Sequence, residues 1–168
     1  MKKGLKTMLV VSSCMLAMST NVCAAEPVDG QIIDGSMLTH ETQSTVSEIF
    51  DWNFESMDEI APFGSYYALG SCGISKESSN SVYFTATTEC YEKCPTVKVE
   101  VTLQKLKNST WTYVTSRSKT ESNSYDATVE DTIRVDSGYY YRVVSFHSAT
   151  KNGKTETGSA TGRSIYVG

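Results

Sequence analysis

The side chains in this sequence that could do covalent or metal chemistry are few: five cysteines and two histidines in 168 residues. Cys72, Cys90, Cys94 and His147 lie in the body of the chain, while Cys14, Cys23 and His40 precede them. Three thiolates and an imidazole make a zinc ligand set, but the paired Cys-x-x-Cys spacing of structural zinc is missing. Cys90-Tyr91-Glu92-Lys93-Cys94, immediately before Pro95, has instead the spacing of a disulfide that staples a loop. Cys72 is the competing partner for Cys90, although a turn centred near Ser79 sets Cys72 opposite residue 86. In an exported protein one thiol of the three is then left over.

Nucleophilic catalysis needs a nucleophile, a base and a group that orients the base. A Cys72–His147 pair is what this chain offers, with no Gly-x-Ser-x-Gly elbow, His-Glu-x-x-His run or Gly-rich phosphate loop beside it. His147 reads as a partly exposed strand residue. Glu130, Asp131 and Asp136 are the carboxylates available for a glycosidase pair, and they read as a solvated turn and strand face. No catalytic residue, metal site or cofactor is expected.

The surplus is aromatic. Ten Tyr and two Trp include Tyr139-Tyr140-Tyr141 in a row, so at least one of the three must face away from a core. Trp111 and Tyr113 share one face of their strand, as do Tyr139 and Tyr141 of theirs. Exposed Tyr and Trp are stiff and amphipathic, which suits a protein-, peptide- or glycan-binding face. Trp111, Tyr113, Tyr139 and Tyr140 are the candidate ligand-binding residues. Cross-strand aromatic packing is the competing role.

Holding such a face takes strands. Val97-Lys98-Val99-Glu100-Val101-Thr102-Leu103-Gln104 alternates strictly, as a half-buried strand does. Similar runs begin near Tyr66, Ser81, Thr96, Thr110, Tyr125, Tyr139 and Lys154. Turn residues separate them at Ser78-Ser79-Asn80, Lys107-Asn108-Ser109, Asp136-Ser137-Gly138 and Lys151-Asn152-Gly153. The last triplet before the fourth run, Asn108-Ser109-Thr110, is also an N-glycosylation acceptor in a eukaryotic secretory route. Seven short strands without crossover helices predict an all-β chain, an antiparallel β-sandwich over residues 61–168.

The first 25 residues read as a cleaved signal peptide: Lys2, Lys3 and Lys6, then an apolar run from Met8 to Met18, then Val22-Cys23-Ala24-Ala25. Val11-Ser12-Ser13-Cys14 has the look of a lipobox, yet the apolar run continues past Cys14. A free extracellular protein is therefore expected, with no stable membrane insertion after cleavage. Residues 26–60 form an acidic arm with nine acids and no Lys or Arg, read as mostly disordered from Glu26 to Ser44. Val46 to Met57, carrying Phe50, Trp52 and Phe54, fits a short helix or strand that caps the module or docks on a neighbour's sheet edge. The leader holds three of the fifteen basic residues and none of the nineteen acids, leaving twelve against nineteen, a net −7. That balance disfavours nucleic acid and anionic membranes as partners.

One corner narrows the sandwich type. Asp136-Ser137-Gly138-Tyr139-Tyr140-Tyr141-Arg142-Val143 looks like the tyrosine corner of immunoglobulin-like and fibronectin-III-like sandwiches. The immunoglobulin spacing selects Tyr140 and would put Arg142 in the core, a costly burial. The fibronectin spacing selects Tyr141, with Val143 and Ser145 following inward, and is preferred. The leader, the acidic arm, the Tyr66-Tyr67-Ala68-Leu69 opening and Leu103-Gln104…Trp111…Gly138-x-Tyr140-Tyr141-Arg142-Val143 together resemble small secreted proteins of Gram-positive bacteria, gathered in families of uncharacterised function. The resemblance implies an extracellular location and supplies no activity. The intact mass of the exported protein checks the leader: it should begin at Ala25 or Glu26, and a lipidated Cys14 at the N-terminus would place the protein on the membrane instead.

Overall fold

Residues 26–38 and 64–168 are described in the computed structural model of this chain. Apart from one 3-10 turn (Gly35–Leu38), their regular structure is β. The strands are β1 (Ile32–Ile33), β2 (Tyr67–Ser78), β3 (Ser81–Lys107), β4 (Thr110–Arg134), β5 (Tyr139–Lys151), β6 (Lys154–Thr161) and β7 (Ser164–Val167). They form one curled antiparallel sheet of seven strands, as the alternation predicts. Among the described residues no helix is long and apolar enough to cross a membrane. The leader, His40 and the Val46–Met57 segment lie outside the described residues.

The seven strands are not quite the seven expected. The runs beginning near Thr96 and Tyr125 prove to be the second halves of two long strands, β3 and β4. Short β1 and β7 make up the number. The first half of β3 pairs with β2 on one side and β4 on the other; from Thr96 onward β5 replaces β2. The change happens across an irregularity where five steps of β3, Glu89 to Cys94, oppose two steps of β4, Asp126 to Ser124. Pro95 has no N–H to give to a ladder, and Asn123 sits at φ 51, so both chains bend here. Buried positions stay even through Cys94, and two consecutive exposed residues, Pro95 and Thr96, flip the buried parity. Val82, Phe84 and Ala86 face inward before the corner, and Val97, Val99, Val101 and Leu103 after it. Tight turns close the hairpins: Asn108–Ser109 (φ 51 and 58) between β3 and β4, Asn152–Gly153 (φ 52 and 74) between β5 and β6.

The curl brings β2 across β5 and β6. Close approach is allowed because Gly70 stands against the His147 ring and Gly158 against the Tyr67 ring, where a Cβ would collide in each case. The core joins both halves of β3 with Tyr141, Val143 and Ala149 of β5 and Val167 of β7. Tyr141 is buried and its hydroxyl donates to the Asp136 carbonyl at 2.7 Å, so the chain uses the spacing that keeps Arg142 out of the core. Burial pushes the Tyr141 phenol up to about 12, and the hydroxyl stays protonated as a donor. Replacing Tyr141 with Phe should remove about 1–2 kcal/mol of stability by urea unfolding. The same change at outward-facing Tyr140 should stay within about 0.5 kcal/mol.

Candidate functional site

Strand parity decides what the polar residues of β5 can do. Tyr141, Val143, Ser145, His147 and Ala149 all point inward, and His147 is fully buried rather than partly exposed. Its Nδ1 lies 2.8 Å from Thr88 Oγ1 and its Nε2 lies 2.7 Å from Ser145 Oγ. Thr88 commits its one proton to the Lys98 carbonyl at 2.9 Å, so Nδ1–H donates to Thr88 and Nε2 accepts from Ser145. Burial holds the imidazole down at about 4, hence neutral. Cys72, suspected as the partner of this imidazole, donates its S–H to the Val143 carbonyl at 3.8 Å instead, and burial pushes its thiol up. A serine bonded to a neutral histidine is the start of a nucleophile, but Ser145 is buried, and a threonine stands where a carboxylate would steady imidazolium. The chain of bonds braces the core.

A second buried polar group ties the start of β2 to β6. Glu156 Oε1 accepts from Ser65 N–H at 3.0 Å, and Oε2 from Tyr66 and Tyr67 N–H at 3.2 and 3.0 Å, with Lys154 alongside. Burial alone would raise this carboxyl, but the three backbone donors outweigh it and hold it at about 2. Glu156 shares its parity on β6 with Gly158 and Ala160, which was the available sign that it turns inward.

Cys72, Cys90 and Cys94 are free thiols, so the expected Cys90–Cys94 bridge and its Cys72 alternative are not formed. Cys72 stands opposite Ala86, the register a turn at Ser79 requires. Cys90 pairs with Tyr67 of β2 and Cys94 with Ser124 of β4, so the two thiols serve different partners on either side of the corner. Cys94 donates its S–H to the Glu92 carbonyl at 3.5 Å. Burial and the neighbouring Cys94 push the Cys90 thiol up to about 12. Among the described residues no three His, Cys, Asp or Glu side chains converge as metal ligands.

The aromatic candidates divide. Tyr113 of β4 pairs with Gln104 of β3, and Gln104 with Arg142 of β5, which puts this row on the outward face. Tyr113 is 68% exposed there, and Tyr140 is half-buried against the Tyr166 ring at 5.0 Å. Phe146, not singled out from the sequence, is 45% exposed on the same face, between Glu100 of β3 and Ser159 of β6. Tyr139 lies on the other face, packed on the core with the Lys105 ammonium 4.5 Å from its ring. Trp111 has the outward orientation of Tyr113 but is buried. The Arg142 guanidinium lies 4.4 Å from its ring, and Gly35 covers it.

That cover comes from the start of the arm. Residues 26–38 are not free: Gly30 N–H donates to the Tyr166 carbonyl at 2.8 Å, Tyr166 N–H to the Gln31 carbonyl at 3.1 Å, and β1 extends the sheet beside β7. Asp29 forms an ion pair with Lys76 and accepts from Gly168 N–H at 2.8 Å. A two-residue strand has no periodicity to read, and its partner lies at the far end of the chain.

No protein-family model and no curated protein matches this chain. Among solved structures it is similar to Spo0M, a sporulation control protein from Bacillus subtilis, over 55% of its length at 10% identity and a TM-score of 0.32. The chain spans less than half of that protein, 47%.

The two buried polar groups predict how stability changes with acid. His147 binds its proton more weakly folded than unfolded, so between pH 6.5 and about 4 the unfolded chain gains the proton first. Stability should fall across that window by about 3 kcal/mol as pH drops. Glu156 adds a separate loss as pH falls from 4.5 towards about 2, where its hydrogen-bonded carboxylate is protonated. Urea titrations at stepped pH should resolve both, and His147→Asn should flatten the upper one.

Proposed function

We propose that this chain is a secreted, non-catalytic binding module, and that the outward face of β4, β3 and β5 is where it meets an extracellular protein, peptide or glycan. The observation that carries the reading is the exposure of Tyr113 and Phe146 on a polar face that also holds Thr102, Gln104, Ser116 and Ser118, with Glu100 and Arg142 among them. Rigid aromatics on a sheet lose little conformational freedom when a ligand covers them. The finer architecture proposed is a fibronectin-III-like sandwich. The partner change in β3 and the Tyr141 corner support it, with β2 and the first half of β3 forming one layer and the second half of β3 with β5 the other. The Lys2 to Ala25 leader supports export.

A second reading, assembly through the arm, draws on the addition of β1 to the β7 edge. Light scattering of the mature protein separates the two, since a binding module stays monomeric and an assembling one grows with concentration. Tyr113→Ala and Phe146→Ala should each weaken binding to immobilised extracellular glycans or peptides at least about tenfold while leaving the urea midpoint unchanged. Undiminished binding by both variants would remove this face from consideration.

A further inference from the structure

Tyr113 and Phe146 do not stand alone on the outward face; each has a polar side chain of β3 directly beside it. Tyr113 of β4 pairs with Gln104, and Phe146 of β5 pairs with Glu100. Both polar groups are held from the side. Gln104 Oε1 accepts from Arg142 Nε at 2.8 Å, which leaves its amide N–H groups to donate. Glu100 Oε2 accepts from Lys98 Nζ at 3.3 Å, and a carboxylate keeps further lone pairs with which to accept. The Tyr113 hydroxyl lies 3.4 Å from Ser116 Oγ, three residues on, so the exposed ring leans along β4 with a flat side to solvent. A stiff ring beside a fixed hydrogen-bonding group thus occurs twice on this face. Two strand spacings and four residues of β3 separate the two rings, about 17 Å in a regular sheet.

On the reading that the outward face is the binding surface, we propose that its ligand is an uncharged, extended glycan. One sugar stacks on Tyr113 beside Gln104, and another, further along the same chain, stacks on Phe146 beside Glu100. A sugar ring offers C–H groups to an aromatic face and, around its rim, hydroxyls that both donate and accept. The Gln104 amide and the Glu100 carboxylate match that rim. An extended peptide has less to gain here. Its main chain needs N–H and C=O partners, and those of β3 and β5 are already bonded within the sheet. A globular protein needs an apolar, desolvated centre for its anchors. The row between the two rings holds Ser116, Thr102 and Val144, residue types that are under-represented among such anchors. Charge then selects among glycans. With twelve basic residues against nineteen acids in the mature chain, polymers of uronic acids or phosphates are repelled.

The test is native affinity electrophoresis of the mature protein in gels containing hydroxyethylcellulose, glycol chitin or galactomannan, with polygalacturonate as the charged comparison. At least one uncharged polymer should retard the protein, and polygalacturonate should not. Tyr113→Ala and Phe146→Ala should each weaken that binding at least about tenfold with the urea midpoint unchanged. Gln104→Ala and Glu100→Ala should each weaken it about fivefold. Tyr113→Phe keeps the ring and should stay within about threefold of the unchanged protein. The matching hexasaccharide (cellohexaose, chitohexaose or mannohexaose) should compete, and its monosaccharide should not, because one sugar cannot reach both rings. The proposal is overturned if no uncharged polymer binds, if polygalacturonate binds at least as tightly, or if the monosaccharide competes equally well. Immobilised peptides bound through Tyr113 and Phe146, with no glycan bound, would overturn the glycan and keep the face. Glycan binding that neither alanine variant weakens would overturn both.

Discussion

Everything in this fold takes its position from the place where β3 changes neighbours. A 27-residue strand cannot keep one face inward along a sheet that curls back on itself, because a continuous period of two would carry its apolar set to the outside. The irregularity between Glu89 and Cys94 and the missing N–H of Pro95 break the period there. The parity of burial then flips, so Phe84 and Val99 belong to the same core although one is an even and the other an odd position. β4 follows through its own left-handed Asn123, and β5 finds the second half of β3 free to pair.

Much of this was legible because the corner is written in the alternation itself. Val82-x-Phe84-x-Ala86 and Val97-x-Val99-x-Val101 are out of phase, which separates two runs even though the backbone between them stays extended. The Tyr141 corner was legible on electrostatic grounds, since the competing spacing would have buried Arg142. What stayed hidden was of two kinds. The inward turn of His147 follows from the same parity as Ser145, but a histidine's habitual exposure argued the other way, and nothing local shows that Thr88 stands ready to receive it. The docking of Gly30 and Gln31 on Tyr166 depends on a contact across most of the chain, invisible to any local pattern.

Among the described residues, several polar side chains in the core are held by definite partners, whereas Ser164 Oγ and Trp111 Nε1 are not. His147 is kept neutral between two hydroxyls, Glu156 is kept charged among three N–H groups, and burial pushes the Cys72 and Cys90 thiols up. These are opposite solutions to one difficulty, the cost of bringing ionisable groups out of water. The imidazole gives up its charge because its neighbours are neutral. The carboxylate keeps its charge because the backbone at the start of β2 has donors that no strand partner takes.

The chain ends invite a mechanical reading. Asp29 receives the N–H of Gly168, and β1 runs antiparallel to β7, so the two ends leave the domain from the same side. Tension applied between them would load the Asp29, Gly30 and Gln31 bonds one after another, as a zip opens, rather than all together in shear. The long hairpin of β3 and β4 would carry none of that load until the segment had come away. Pulling on this protein from its ends would therefore first meet a weak clasp, with the core still closed behind it.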